Sequence, residues 1–497
     1  MNITSITFAL FCVIGVLVYW QLPDKYRIPW LFVLSLIFTV SWSWMLAMIL
    51  LIVATVNFYI GHWLTVAKIR QRMLLWIGIG FNLLTLVALK YNNFYTISLA
   101  QLLERLGIQT SSGGLLLLVP VGLSFLTLQM VSYLLDAYHH IIKTDTRWLD
   151  FALFVVYFPK LLSGPVERVR LLLPLIKQPK AVDSQGVERN FWLIVVGLLR
   201  KVILADALAS LIPPDVFVHP KNFSGEALVI YLLAYTFMIY NDFAGYTSIV
   251  RGISGFFGIE LTNNFNLPYF ARNISEFWDR WHFSLTSWLR EYIFFPSSRA
   301  LRKKFPKSDH VLNLVVPPIL TMLVSGMWHG LAMNYLFWGG LHGTYLVVER
   351  LTMLRSPKKL PGEYPRWRQV LSALGVFILV VLAWMPFRMQ LATAWQYLVR
   401  LLSFSAWLRP DFWLIRMSLF GKVKLQNWAD LKLPDIRAML FILPTLLLDW
   451  RQSKNKDETF LLRWPAWAKV VFLTILTVLL LIFSLASTRA PFIYQGF

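Results

Sequence analysis

Residues 311–348 read VLNLVVPPILTMLVSGMWHGLAMNYLFWGGLHGTYLVV, and this run decides the fold. It holds no Asp, Glu, Lys or Arg. Its two apolar segments, 311–328 and 331–348, are each long enough to enter about 30 Å of hydrocarbon. His329 sits between them. Gly326 and Gly330 flank it at small-xxx-small spacing, and Gly339 and Gly343 repeat the pattern on the following segment. Such spacing lets helix backbones approach closely, so His329 is expected inside a tight helix pair rather than against lipid. A polar side chain at membrane depth is a functional hypothesis by default, and a neutral imidazole suits a general base. The competing reading is a structural histidine satisfied by a backbone carbonyl. His342, on the same run, reads as structural.

Working outward, the 497-residue chain is 57% hydrophobic and only 14% charged, where a soluble domain carries about 25% charged residues. Apolar runs recur along its whole length. Spans are expected near 5–22, 29–46, 47–64, 73–90, 115–135, 191–212, 226–248, 311–328, 331–348, 369–387, 438–450 and 470–487. The fold class is therefore an all-α polytopic integral membrane protein. The first stretch, Ile3 to Trp20, lacks a basic leader and a small-residue cleavage site, so it reads as an uncleaved span. Residues 28–64 fit two tight spans or one span plus a surface helix. The segment 149–165, with Pro159, Gly164 and Pro165, is expected to re-enter the membrane without crossing it. The Trp-rich region 390–437 reads as an external loop with interfacial helices. With no internal repeat or linker, the simplest assignment is one integral domain over 1–497, its motif core at about 115–345.

The net charge of +22, from 47 Lys and Arg against 25 Asp and Glu, is mostly what cytoplasmic loops obeying the positive-inside rule require. Attraction for membrane lipid, an acidic carrier protein or phosphate-bearing cosubstrates is the functional complement. Six basic clusters fall on one side of a consistent trace: Lys68/Arg70/Arg72, Lys143/Arg147, Arg168/Arg170/Lys177/Lys180, Arg299/Arg302/Lys303/Lys304/Lys307, Arg355/Lys358/Lys359/Arg366/Arg368 and Arg451/Lys454/Lys456/Arg463. Both termini then face outward. The single cysteine, Cys12, excludes an internal disulfide and argues against a thiolate mechanism or a cysteine metal site. No glycine loop for phosphate, no nucleophile elbow and no metal-ligand spacing is present, and nothing points to nucleic acid.

Laid on a helix, Glu276 to Ile293 divides into two faces. One collects Glu276, Asp279, Arg280, Ser284, Ser287, Arg290 and Glu291; the other collects Phe277, Trp278, Trp281, Leu285, Trp288, Leu289, Tyr292 and Ile293. The expectation is one amphipathic helix lying at the interface. His282 falls at the edge of the apolar face, as a hydrogen-bonded core histidine or a functional one. Arg280, Trp281 and Arg290 are the candidate donor-side residues. Asp242, in Tyr240-Asn-Asp242-Phe-Ala-Gly245-Tyr246, needs a cation, with Arg251 or Arg280 as candidates and a scaffold role in view. Pro165-Val-Glu167-Arg168 closes the re-entrant segment and is a candidate for positioning a loop or a ligand phosphate.

Asn264-Phe-Asn-Leu-Pro-Tyr-Phe, Glu276-Phe-Trp-Asp-Arg-Trp-His282-Phe-Ser-Leu, Trp288-Leu-Arg-Glu-Tyr-Ile, Ser325-Gly-Met-Trp-His329-Gly and the terminal Pro491-Phe-Ile-Tyr together resemble the membrane-bound O-acyltransferase (MBOAT) family. Ser163-Gly-Pro165 and Tyr240 to Tyr246 fit its bacterial branch, which serves alginate O-acetylation and teichoic acid D-alanyl transfer. The resemblance implies a multi-helix bundle with re-entrant and interfacial helices around a central tunnel. It implies an essential histidine at the narrow centre, which falls on His329, and a second that falls on His282. It further implies an acyl group taken from a cytoplasmic thioester, acetyl-CoA or an acyl carrier protein, in the bacterial inner membrane. The acceptor would be the hydroxyls of an exported polysaccharide, often reached through an extracytoplasmic acyltransferase- or esterase-like partner. No cofactor is expected to be bound and no metal. Tyr494-Gln-Gly-Phe497 departs from the usual aromatic ending of the alginate type. D-alanyl transfer to teichoic acid and lipid O-acylation are the enzymatic alternatives. A proton-coupled transporter would call for inverted repeats and paired broken helices, which the sequence lacks.

Overall fold

Where no water can bond the backbone, a chain this apolar must satisfy its amides and carbonyls within helices. The computed structural model describes residues 1–66, 69–90, 122–142, 146–307, 309–355, 364–403, 434–455 and 458–486, and these are mostly helical, with no strand among the described residues. Six described helices are long and apolar enough to cross a membrane: Trp44–Val66, Gln71–Lys90, Gly225–Phe256, Val311–His329, Arg366–Arg388 and Ala466–Phe483. Lys68, Lys143, Lys358, Lys359 and Lys456 of the basic clusters, most of the expected loop 390–437 and the C-terminal Pro491 to Phe497 lie outside the described residues.

The chain divides into two compact units. The first takes in Met1–Ile194 and Thr247–Asn263. Residues 28–64, ambiguous in sequence, form two helices, Asp24–Val40 and Trp44–Val66. An amide pair joins Trp44–Val66 to Gln71–Lys90: Asn57 Nδ2 donates to Asn82 Oδ1 at 3.0 Å and Asn82 Nδ2 returns to Asn57 Oδ1 at 2.8 Å. Reciprocal amides of this kind hold helices together where the hydrophobic effect cannot. The expected re-entrant stretch is a broken helix, Trp148–Val156 and then Phe158–Leu161, because Pro159 follows a kink at Tyr157. Every residue from Asp150 to Val169 is buried, which explains its composition. Two charged residues in that run find partners within the unit. Lys160 Nζ donates to Gln129 Oε1, and Glu167 accepts from the Thr262 amide at 2.7 Å and hydroxyl at 3.1 Å.

The second unit takes in Val195–Tyr246 and Asn264–Ile493. The span expected at 191–212 is interrupted: an α-helix, Ser184–Leu198, passes into a π-helical segment, Leu199–Ala205, before Asp206–Leu211. The π-segment buries two consecutive cations. Arg200 pairs with Asp449 and donates to Asn241 Oδ1 at 3.0 Å, while Lys201 pairs with Asp242 and lies 3.4 Å from Asp206. The structure gives Asp242 a cation that the sequence reading did not name, Lys201, which the widened π-turn presents to it. Arg280 is engaged by Glu276, and Arg251 donates to the Leu261 carbonyl.

Val311–His329 and Met333–Arg355 form a close antiparallel pair. A methyl group at Gly339 would lie 2.2 Å from the Met322 carbonyl oxygen, and one at Gly326 would lie 2.3 Å from that of Tyr335. Only glycine permits this approach, as the small-xxx-small spacing anticipates.

Candidate active site

The helix expected over 276–293 is not continuous. Ile274–Arg280 ends, Trp281 is extended, His282 turns into the left-handed region at φ +46°, and Phe283–Leu289 resumes. A π-helical turn, Arg290–Phe294, follows, and then Phe295–Lys304. The competing interaction comes from a distant loop. The Asn264 carbonyl accepts the Phe283 amide at 3.0 Å and its side chain accepts the Ser284 amide at 3.1 Å, while the Asn266 amide donates to the Arg280 carbonyl at 3.0 Å. Phe265 and Trp281 pair as an isolated antiparallel bridge. A left-handed non-glycine residue costs on the order of 1–3 kcal/mol and persists only where its surroundings fix it. The loop around Asn264 does so here, and the break turns His282 inward.

A second set of contacts anchors the same segment. Asn273 caps Ile274–Arg280, its side chain accepting the Glu276 amide at 2.7 Å. Glu349, from the helix that follows His329, accepts the amides of Ile274 at 2.6 Å and Ser275 at 3.2 Å. Acidic groups at a helix N-terminus satisfy its open amides and complement its dipole. Glu276 accepts the Arg272 amide at 2.7 Å and the Arg280 guanidinium at 2.6 Å. Partial burial works to raise its carboxyl, and that amide together with Arg280 and Arg272 holds it below the usual range.

Both histidines lie in the second unit, and one indole connects them. His282 is buried, its ring edge-on to Phe243 at 4.7 Å and to Trp328 at 5.9 Å. Trp328 lies 4.7 Å from His329, which is also buried and meets Trp338 at 5.2 Å and Phe387 at 5.0 Å. Trp338 in turn contacts His342 at 5.0 Å. Three imidazoles and two indoles therefore form one aromatic chain. Burial pushes the His282 imidazole down to about 3, so it is neutral at physiological pH.

The donor-side candidates separate in space. Trp281 is buried among Phe265, Phe277, Tyr240, Tyr269 and Trp384. Arg280 is engaged by Glu276, and Arg290, half exposed, pairs with Asp279. Arg290 and Arg350 line a cavity of about 110 Å³ that reaches Trp278, whose ring lies 5.1 Å from His342 and 5.9 Å from Trp338. The cavity's volume is roughly that of four waters at ~30 Å³ each, enough for a small acyl group. Asn264 and Trp328 figure in the sequence reading only as parts of motifs, without a role of their own, and Glu349 and Trp338 escape it altogether. Only Glu349 carries a signal of its own, as an acid in a long, mostly apolar helix.

The profile of the MBOAT, membrane-bound O-acyltransferase family, matches residues 140–386, which include both histidines. A probable alginate O-acetylase of Pseudomonas aeruginosa is 32% identical over 397 residues, 78% of this chain and 72% of the relative. A peptidoglycan O-acetyltransferase of Helicobacter pylori is 29% identical over 76% of this chain and 75% of its own length. A teichoic acid D-alanyltransferase of Bacillus subtilis is 28% identical, over 52% of this chain and 65% of its own.

Proposed function

The chain belongs to the membrane-bound O-acyltransferase family, and from that premise we propose that it acetylates an exported polysaccharide from a cytoplasmic thioester. The observation that carries this reading is the pairing of buried His282 and His329 across Trp328. Relatives aligned over about three quarters of the chain are O-acetylases of alginate and peptidoglycan, while the D-alanyltransferase aligns over 52%. That difference favours acetyl over D-alanyl transfer.

The chemistry asks little of the protein beyond a base and a place. A thioester is already activated, so the acceptor O–H must be deprotonated, held near the carbonyl and its oxyanion stabilised. His329 accepts that proton as the hydroxyl oxygen bonds to the acyl carbon. The C–S bond then breaks and His329 returns the proton to the leaving thiolate. His282, neutral and fixed at a strained turn, donates to the oxyanion or orients His329. The acetyl end of the donor, acetyl-CoA or an acyl carrier protein, enters by the cavity beside Arg290 and Arg350, while Arg280 and Trp281 remain donor-side candidates through their place on the same segment. The protein works in the bacterial inner membrane, and an extracytoplasmic acyltransferase- or esterase-like partner completes delivery to the glycan. Proteoliposomes test this with labelled acetyl-CoA on the side of the basic loops and acceptor or partner on the other. Label reaching the far side supports the relay. Label confined to same-side lipid would replace it with one-sided lipid acylation.

A further inference from the structure

Arg350 is a partly buried cation that the fold leaves without an ion pair. It stands near the C-terminal end of the helix Met333–Arg355, half-buried, its guanidinium 4.7 Å over the Phe294 ring. Among the described residues, no carboxylate lies within ion-pair distance of it and no oxygen accepts its hydrogens. Its neighbour Glu349 attracts it, but that carboxylate is taken up by the amides of Ile274 and Ser275 and by the Ser275 hydroxyl. Arg302 repels it. Withdrawing a charge from water without a partner costs free energy, so a residue placed in this way is matched by an anion from outside the chain.

There is room for that anion. Arg350 and Arg290 line the cavity of about 110 Å³, and none of its described lining residues is acidic. Arg290 is matched by Asp279, which leaves Arg350 as the uncompensated charge. The helix Phe295–Lys304 adjoins the cavity through Phe294 and carries Arg299, Arg302, Lys303 and Lys304, all exposed and, among the described residues, outside any ion pair. Their field concentrates anions at this end of the cavity. The opposite wall faces the histidines: Met322 lies against Gly339, and Trp278 lies 5.9 Å from Trp338. Along its helix Arg350 is about 22 Å from Tyr335, at 1.5 Å per residue, and the Tyr335 ring lies 6.5 Å from that of His329. A compact acyl phosphate could not touch both Arg350 and His329, whereas a thioester on a long phosphorylated arm could.

We propose that Arg350 binds the phosphate of the donor's phosphopantetheine arm, the group that coenzyme A and acyl carrier proteins share, and so selects phosphorylated thioesters. This rests on the acyl-transfer reading for the identity of the arm, and on the unpaired guanidinium for the contact. A planar guanidinium gives a phosphate two parallel hydrogen bonds, and the Phe294 ring beneath it fixes the plane.

Binding to the purified full chain in detergent is measured first by calorimetry, since it needs no transfer, with coenzyme A, phosphopantetheine, pantetheine and dioctanoyl phosphatidylglycerol as probes. Coenzyme A and phosphopantetheine should bind at least about tenfold more tightly than pantetheine, the gain expected from a charge-assisted contact. Arg350→Gln should abolish that gain and leave the weaker pantetheine affinity as it was, while Arg350→Lys, which keeps the charge, should retain part of it. Equal wild-type binding of phosphopantetheine and pantetheine, or an equal loss for both in Arg350→Gln, would overturn the proposal. So would displacement of coenzyme A by phosphatidylglycerol at equal concentration, which would make Arg350 a lipid contact. Transfer assays then identify the source of the arm: KM for acetyl-CoA or for acetylated carrier protein should rise about tenfold in Arg350→Gln at nearly unchanged kcat. Transfer from acetyl-CoA and acetyl-pantetheine alike, indifferent to Arg350→Gln, would leave acyl transfer standing and remove the phosphate contact. Phosphate-dependent binding with no acetyl transfer from any thioester would keep the contact and remove the acyl-transfer reading.

Discussion

Gly339→Ala is a sharp probe of the packing that places His329. The added methyl would lie 2.2 Å from the Met322 carbonyl oxygen and 3.3 Å from Leu323 Cα, where ordinary contact begins near 3.4 Å. The helices Val311–His329 and Met333–Arg355 must therefore separate by about 1 Å at this level, since a backbone carbonyl in a helix cannot turn aside. Overpacking of this kind costs about 1–3 kcal/mol, and the better helix propensity of alanine returns roughly 0.5–1 kcal/mol. The net destabilisation is on the order of 1–2 kcal/mol. Activity should suffer more than stability. His329 ends the displaced helix, and a misplacement of about 1 Å at a reacting group can cost on the order of 100-fold in rate. Gly340→Ala is the internal control, because its methyl would meet only Leu323 Cδ2, at 3.8 Å. It should leave transfer intact and raise stability by roughly 0.5–1 kcal/mol. Acetyl transfer in proteoliposomes and thermal melting of both variants decide the matter. Wild-type transfer by Gly339→Ala, or an equal loss in Gly340→Ala, would refute the reasoning.

Three further outcomes follow from the polar groups. Asp242→Ala removes the nearer carboxylate from buried Lys201, leaving the longer Asp206 contact, and should destabilise by about 3 kcal/mol in chemical unfolding; Lys201→Met with Asp242→Leu should restore most of that, and an undiminished stability in Asp242→Ala would show the pair to be idle. The folded His282 value of about 3 lies below its ordinary 6.5, so the unfolded chain binds the proton first and stability is lost as pH falls from 6.5 toward 3. The melting temperature of His282→Asn should accordingly fall less steeply than wild type between those values; parallel slopes would contradict the burial argument. In a Cys12→Ser background, single cysteines at positions 68, 170, 303, 358 and 454 should resist an impermeant thiol reagent added from outside, and labelling at 303 would invert the topology.

What could be read from the sequence was whatever repeats at short range. The glycines at 326, 330, 339 and 343 announced a close helix pair, and the apolar runs announced the helices, because both patterns depend on residues within a few turns of one another. Long-range effects were illegible. Glu276 to Ile293 has a good amphipathic period, and nothing within it reveals that Asn264 takes the amides of Phe283 and Ser284 and breaks the helix at His282. The partner of Asp242 depended on a π-segment that sequence periodicity cannot foresee. Arg200 and Asp449 lie far apart in the chain, and neither predicts the other. His329 and His282 stood out individually as polar residues in apolar surroundings. Their association through Trp328 did not, since an indole beside a histidine looks like any other apolar residue until the packing is known.

The claim that His329 is the base at the reacting centre has one most direct test. Single-turnover acetyl transfer would be followed in proteoliposomes bearing His329→Ala, with His342→Ala alongside and the fold of each checked by melting. A well-folded His329→Ala variant should bind the labelled thioester yet transfer no acetyl group, while His342→Ala should retain transfer at a reduced rate. Normal transfer by folded His329→Ala would contradict the account, and loss confined to His342→Ala would move the chemistry one indole further along the aromatic chain.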